Sequence, residues 1–144
     1  MEQEKLVVEQ HSYAPLDRIQ PVLTRQEVLQ YRSAISQVPA APNVIDYAVR
    51  LVRATRPGAA NGECLDYIKR WIRWGASPRA SQHLILAGRA RAACQGRFNV
   101  ACEDVAALAP LVLRHRLIRT FQADAEGKTT DDIISKLLQD VPKG

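Results

Sequence analysis

Apolar residues in this chain recur at intervals of three and four almost throughout, the spacing of one face of a helix, and no stretch alternates as a half-buried strand would. Thr24 and Glu27 form a capping box ahead of Val28, Leu29, Tyr31 and Ile35, which predicts a helix to about Ser36. The prolines between Val38 and Pro42 break it. From Asn43 the set Ile45, Ala48, Val49 and Val52 predicts an inward face opposite Asp46, Arg50 and Arg53, until Pro57-Gly58 ends the helix. Asn61-Gly62 reads as a turn, and Ala59 to Trp74 as a short helix or irregular loop with Leu65, Ile68, Trp71 and Ile72 inward. The next helix runs from Pro78 to Gln95, capped by Gly96, with Ala80, Leu84, Ala87, Ala90 and Cys94 on its inner face and His83 near the centre of that face. Cys102 to Arg114 follows with Val105, Leu108, Ala109 and Val112 inward. Arg116 to Phe121 has no assigned state. Thr129 and Thr130 cap a last helix carrying Ile133, Ile134, Leu137 and Leu138. Met1 to about Tyr13 reads as a short helix or arm, followed by a linker marked by Pro15 and Pro21. The pattern predicts an all-α fold, a small helical bundle over residues 21–144 preceded by an arm over 1–20.

A chain of 144 residues is long enough to bury a core without disulfides or metals. Cys64, Cys94 and Cys102 are odd in number and form no CxxC pair, so neither a disulfide framework nor a zinc site is indicated. Cys94 reads as a small buried hydrophobe. His11, His83 and His115 fall on separate elements and suggest no metal site, and His83 reads as a core histidine. With no apolar run long enough to span a bilayer and no apolar signal segment, the expectation is a soluble cytoplasmic protein.

Charge changes the picture more. The net charge is +5, and its source is local: no acidic residue occurs between Asp66 and Glu103, a stretch holding Lys69, Arg70, Arg73, Arg79, Arg89, Arg91 and Arg97. An acidic partner is implied, whether nucleotide phosphate, nucleic acid or a protein face. Within this stretch Gly75-Ala76-Ser77-Pro78-Arg79-Ala80 stands out. Ser77 is a favoured N-cap and Pro78 a favoured first helical residue, which sets Arg79 in a first turn whose dipole disfavours a cation. An anion docked there would be held by the amides and the guanidinium together. The alternative is that Arg79 pairs with an acid elsewhere in the fold.

The strings Arg73-Trp74-Gly75-Ala76-Ser77-Pro78-Arg79-Ala80-Ser81, Gly96-Arg97-Phe98-Asn99-Val100, Glu103-Asp104-Val105, Leu113-Arg114-His115-Arg116 and Ala125-Glu126-Gly127 together resemble the C-terminal part of MoxR-type AAA+ ATPases, over about Pro21 to Pro142. The resemblance implies the helical lid subdomain, with residues 1–20 leading from the ATPase core. It also implies that Arg79 is the sensor 2 residue, that Gly75, Ala76, Ser77 and Pro78 border the ATP site with it, and that magnesium is held by the core. The partners implied are that core, neighbouring subunits of a ring that is often hexameric, and a client protein. Whether Arg79 serves its own subunit's nucleotide or a neighbour's stays open.

No GxxxxGK[ST] phosphate loop occurs in the sequence, so this chain by itself is expected neither to hydrolyse ATP nor to hold it tightly. A helical nucleic-acid-binding module is the alternative reading of the basic middle. It is disfavoured because the helix after Arg79 is mostly Ala and Leu rather than an exposed polar recognition helix.

Overall fold

The computed structural model describes residues 2–11, 20–58 and 64–143. Contacts divide the chain into two units, Met1–Arg32 and Ser33–Gly144. The division falls inside a helix, whereas the sequence sets its boundary at 20/21; residues 12–19 of the proline-marked linker and the Asn61-Gly62 turn lie outside the described residues. The first unit holds α1 (Glu2–His11) and the start of α2 (Arg25–Gln37). The expected capping box is formed: Thr24 N donates to the Glu27 carboxylate at 2.7 Å and Glu27 N to Thr24 Oγ1 at 3.2 Å.

The second unit contains α3 (Pro42–Ala54), α4 (Asp66–Trp71), β1 (Ile72–Trp74), α5 (Arg79–Cys94), α6 (Cys102–Leu113), β2 (Ile118–Arg119), α7 (Phe121–Ala125) and α8 (Thr130–Asp140). Helices α3, α5, α6 and α8 close around one apolar core in which Tyr47, Leu51, Leu84, Val105, Ile134 and Leu137 are fully buried. The last helix starts as expected, with Thr129 N donating to Asp132 at 2.9 Å and Asp132 N to Thr129 Oγ1 at 3.1 Å.

The helical reading holds, with one addition. Strands β1 and β2 form an antiparallel ribbon, pairing Ile72 with Arg119 and Trp74 with Ile118. Ile68 and Ile72 are both buried, so their four-residue spacing is satisfied by a short helix running into a strand as well as by one continuous helix. Glu126 fastens this region, accepting from Arg70 Nε and Trp71 Nε1 at 2.9 Å each.

Two helices are rotated from their expected faces. In α3 the buried residues are Val44, Tyr47, Ala48, Leu51 and Val52, leaving Ile45 and Val49 about two-fifths exposed. In α5 they are Ala80, Leu84, Gly88 and Ala92, a strict four-residue ridge, while Cys94 and His83 are exposed and neither is a core residue. Gly88 explains the ridge. A Cβ there would lie 2.8 Å from Val100 Cγ1, so the chain after α5 packs against the helix where a side chain is missing. His83 instead meets Arg116, whose Nη2 lies 2.8 Å from its Nδ1.

Buried Asp104, in the first turn of α6, gathers the 96–101 turn. Arg97 donates to both its oxygens at 2.5 and 2.8 Å, Ala101 N donates at 2.9 Å, and Arg91 lies 3.5 Å away. The Arg97 hydrogen bonds, helped by the Ala101 N–H, hold its carboxyl below the ordinary aspartate range against the opposing effect of burial.

The connection into α5 is fixed by contact rather than by a turn. A Cβ on Gly75 would lie 2.4 Å from the Thr55 carbonyl oxygen, inside van der Waals contact with backbone that cannot move aside. Beside it, Ala76 N donates to Thr55 Oγ1 and Arg56 Nε donates to the Ala76 carbonyl, each at 2.9 Å.

Because the folded Asp104 pKa is depressed, its contribution is complete above the unfolded value of about 3.9 and is lost as pH falls through the lower folded value. Thermal melts of Asp104→Asn should therefore show a lower Tm than the parent at pH 7 and a gap that narrows below about pH 4. For Gly75→Ala the overpacking cost is about 1–3 kcal/mol, a fall in Tm of roughly 4–12 °C. Gly58→Ala, where a Cβ meets nothing within 4 Å, should melt with the parent.

Candidate functional site

The segment singled out by the sequence lies between two buried alanines. Ala76 is 1% exposed and Ala80 is fully buried, and between them Ser77, Pro78 and Arg79 face outward. The Thr55 and Arg56 bonds hold Ala76 from one side, and the Ala80 side chain anchors α5 from the other. Three exposed residues are thereby presented on a short span with both ends fixed.

The helix starts one residue later than expected. Pro78 stands at the cap position with helical dihedrals of −55° and −26°, and no side chain caps α5. Proline's fixed φ already begins the turn, so the Ser77 carbonyl takes the first bond, from Ala80 N at 2.9 Å, and the Ser77 hydroxyl does not act as the cap. Ser81 N donates to the Pro78 carbonyl at 3.1 Å. Among the described residues, the N–H groups of Ser77 and Arg79 carry no hydrogen bond.

Arg79 makes neither ion pair nor hydrogen bond among the described residues, so no acid described in the structure accounts for its placement. Most of its basic neighbours differ. Arg70 pairs with Glu126, Arg91 and Arg97 with Asp104, Arg114 with Asp131 and Arg119 with Asp124. Arg89 donates to the Ser36 carbonyl at 3.0 Å, and Arg116 to the Val112 carbonyl and the two imidazoles. The basic middle of the chain is thus largely internal fastening. Arg50, Arg53, Arg56, Arg73 and Arg79 have no acidic partner among the described residues, and neither do Arg89 and Arg116, which bond carbonyls and imidazoles.

Sequence reasoning finds Gly75 to Arg79 but misses Thr55 and Arg56, which hold that segment from some twenty residues upstream. The only sequence signal for them is their place at the end of a helix, directly before Pro57-Gly58. Among the described residues no group of His, Cys, Asp and Glu could hold a metal ion, and no helix is long and apolar enough to cross a membrane.

Residues 67–137 match the AAA lid domain family. The chain is 42% identical over 98 residues to Chaperone MoxR1 of Mycobacterium tuberculosis, covering 68% of this chain and 26% of that protein. It is 32% identical over 128 residues to Protein MoxR of Methylorubrum extorquens, covering 84% of this chain and 36% of that one. The crystal structure of a putative ATPase from Cytophaga hutchinsonii superposes with a TM-score of 0.79 at 32% identity, over 98% of this chain and 42% of the other. The chain therefore spans about a quarter to two-fifths of the proteins it matches. With the helical bundle and its two-stranded ribbon, these matches identify the chain as belonging to the helical lid region of the MoxR-type AAA+ ATPases.

Proposed function

We propose that this chain serves as the lid of a ring-forming, ATP-hydrolysing remodelling enzyme, with Arg79 as its sensor 2 residue. The observation that carries the reading is an exposed guanidinium with no partner among the described residues, on a span clamped at Ala76 and Ala80. A first-turn arginine set against the helix dipole is unfavourable for the helix by about 0.3–1 kcal/mol, so its placement suits a ligand better than it suits the fold. The donors fit an anion: Arg79 offers its fork, and the N–H groups of Ser77 and Arg79 are unused.

In this reading bound ATP supplies the phosphoryl group, and its magnesium is held by the ATPase core, which provides the phosphate loop that this sequence lacks. Arg79 spreads the charge that develops on the terminal phosphate oxygens. The clamped Gly75–Pro78 span fixes the backbone from which Arg79 projects, so the loop itself needs little reorganisation during the reaction. The enzyme would be cytoplasmic and would act on a client protein. The pairing of Arg70, Arg91, Arg97, Arg114 and Arg119 with internal acids supports this over a nucleic-acid module, whose phosphate contacts would need those same side chains free.

Two measurements test the reading. The purified chain alone should show no ATP turnover above a buffer blank; turnover abolished by Arg79→Ala would reveal a catalytic site of its own. In the enzyme that contains this lid, Arg79→Ala should slow hydrolysis about 10-fold to 150-fold at saturating ATP, the rate equivalent of losing one or two charge-assisted bonds. Its Tm should stay at the parent value, and Arg79→Lys should fall short of full activity because lysine keeps the charge but not the fork. Parental turnover in Arg79→Ala, or a lid that unfolds, would make the arginine structural.

A further inference from the structure

Helix α3 is apolar on two sides. Its inner ridge fills the core, but Ile45 and Val49 point away from it at 43% and 39% exposure. They are not isolated. With Ile85 and Leu86 of α5, the latter 55% exposed, they line a groove of about 520 Å³ that also meets Arg53, Arg56 and Arg89. A second groove of about 630 Å³ adjoins it through the same Arg53 and Arg56 and adds Arg73 and the 63%-exposed Trp74.

The C-terminal end of α3 meets the N-terminal end of α5 at the Arg56–Ala76 bond, so charge and apolar surface are ordered along the groove. Arg53 and Arg56 stand at one end, continuing to Arg73. Aliphatic side chains occupy the middle, and Arg89 stands with Ile45 toward the other end. Arg53, Arg56 and Arg73 have no acidic partner among the described residues, and Arg89 Nε is buried without an acceptor. From Ile45 to Arg56 the wall runs eleven residues, about 16 Å or three helical turns.

We propose that this groove is a docking site for a short acidic amphipathic helix of a partner protein. Three turns of partner helix would set apolar residues at i, i+4 and i+7 on Ile45, Val49, Ile85 and Leu86, with carboxylates on the arginines at the two ends. Charge complementarity selects the sign, and the aliphatic middle selects an amphipathic segment over a uniformly charged one. A nucleic-acid strand fits less well. Beyond this groove Arg70, Arg91, Arg97, Arg114 and Arg119 are taken up by internal acids, which leaves few cations among the described residues for a run of phosphates. Arg79 itself lines neither groove, but Pro78 lines the first and Gly75 the second, so the docking face borders the span that presents Arg79.

The test is fluorescence anisotropy of the 144-residue chain with a labelled synthetic peptide of about 14 residues, leucine at i, i+4 and i+7 and glutamate on both flanks. Saturable binding is expected. Leu86→Glu and Arg53→Glu, both at exposed positions and so compatible with parental circular dichroism, should each weaken it by about 10-fold or more. Leu111→Glu on α6, 63% exposed and outside the groove, should bind like the parent. A peptide with lysine in place of each glutamate should not bind. The proposal is overturned if the acidic peptide shows no saturable binding, if Leu111→Glu weakens it as much as Leu86→Glu does, or if ATP or a DNA oligonucleotide displaces it from the groove.

Discussion

The contact of Gly75 with the end of α3 is the constraint on which the functional end of this molecule depends. Backbone lies against backbone there, with room for a hydrogen atom and no more, and the adjoining Ala76 is bonded on both its N–H and its carbonyl. Thr55 is buried, and its hydroxyl both donates to the Val52 carbonyl at 2.6 Å and accepts from Ala76. A loop that would otherwise be free to choose among turn geometries is thereby set by a preceding helix. The direction in which α5 leaves the loop, and with it the position of Arg79, follows from this contact.

The same contact links the two surfaces of interest. Arg56 donates its Nε to the Ala76 carbonyl and also lines both grooves beside α3. One side chain therefore stands between the segment that presents Arg79 and the face offered to a partner. Elsewhere arginine fastens the fold: Arg97 and Arg91 gather the turn into α6 onto Asp104, and Arg70 ties α4 to the turn after α7 through Glu126. Buried or half-buried carboxylates held by guanidinium forks are costly to break once formed, because the remaining partner is left desolvated. The motifs around Arg97, Glu103-Asp104 and Glu126-Gly127 are in this sense structural, whereas in Gly75 to Arg79 the charge finds no partner among the described residues.

Much of this was legible in the chain. The Thr24–Glu27 capping box and a threonine cap on the last helix are legible in the sequence because such hydrogen bonds span three residues and depend on little else; that the cap is Thr129, boxed with Asp132, comes from the structure. Helix α6, expected over Cys102 to Arg114, runs Cys102–Leu113, and α8 begins at Thr130, next to the expected threonine cap. Segment 116–121 could not be assigned because its strand exists only by pairing with β1, more than forty residues earlier.

The sequence by itself determined that the unit is a bundle of helices, where most of them begin and end, and that Gly75 to Arg79 is chemically unusual, because periodicity, caps and proline act over a few residues. Tertiary structure alone decided which face of each helix is buried. In α5 alanine appears on several sides, so apolar character does not single out a face; the absent side chain of Gly88 against Val100 does, and Cys94 and His83 are turned outward as a result. In α3 both sides are apolar, and only the packing of α5, α6 and α8 shows that Ile45 and Val49 are the outer set. Which arginines are spent internally and which stay free was likewise undecidable from composition, because Arg70 finds its acid 56 residues away and Arg79 finds none among the described residues.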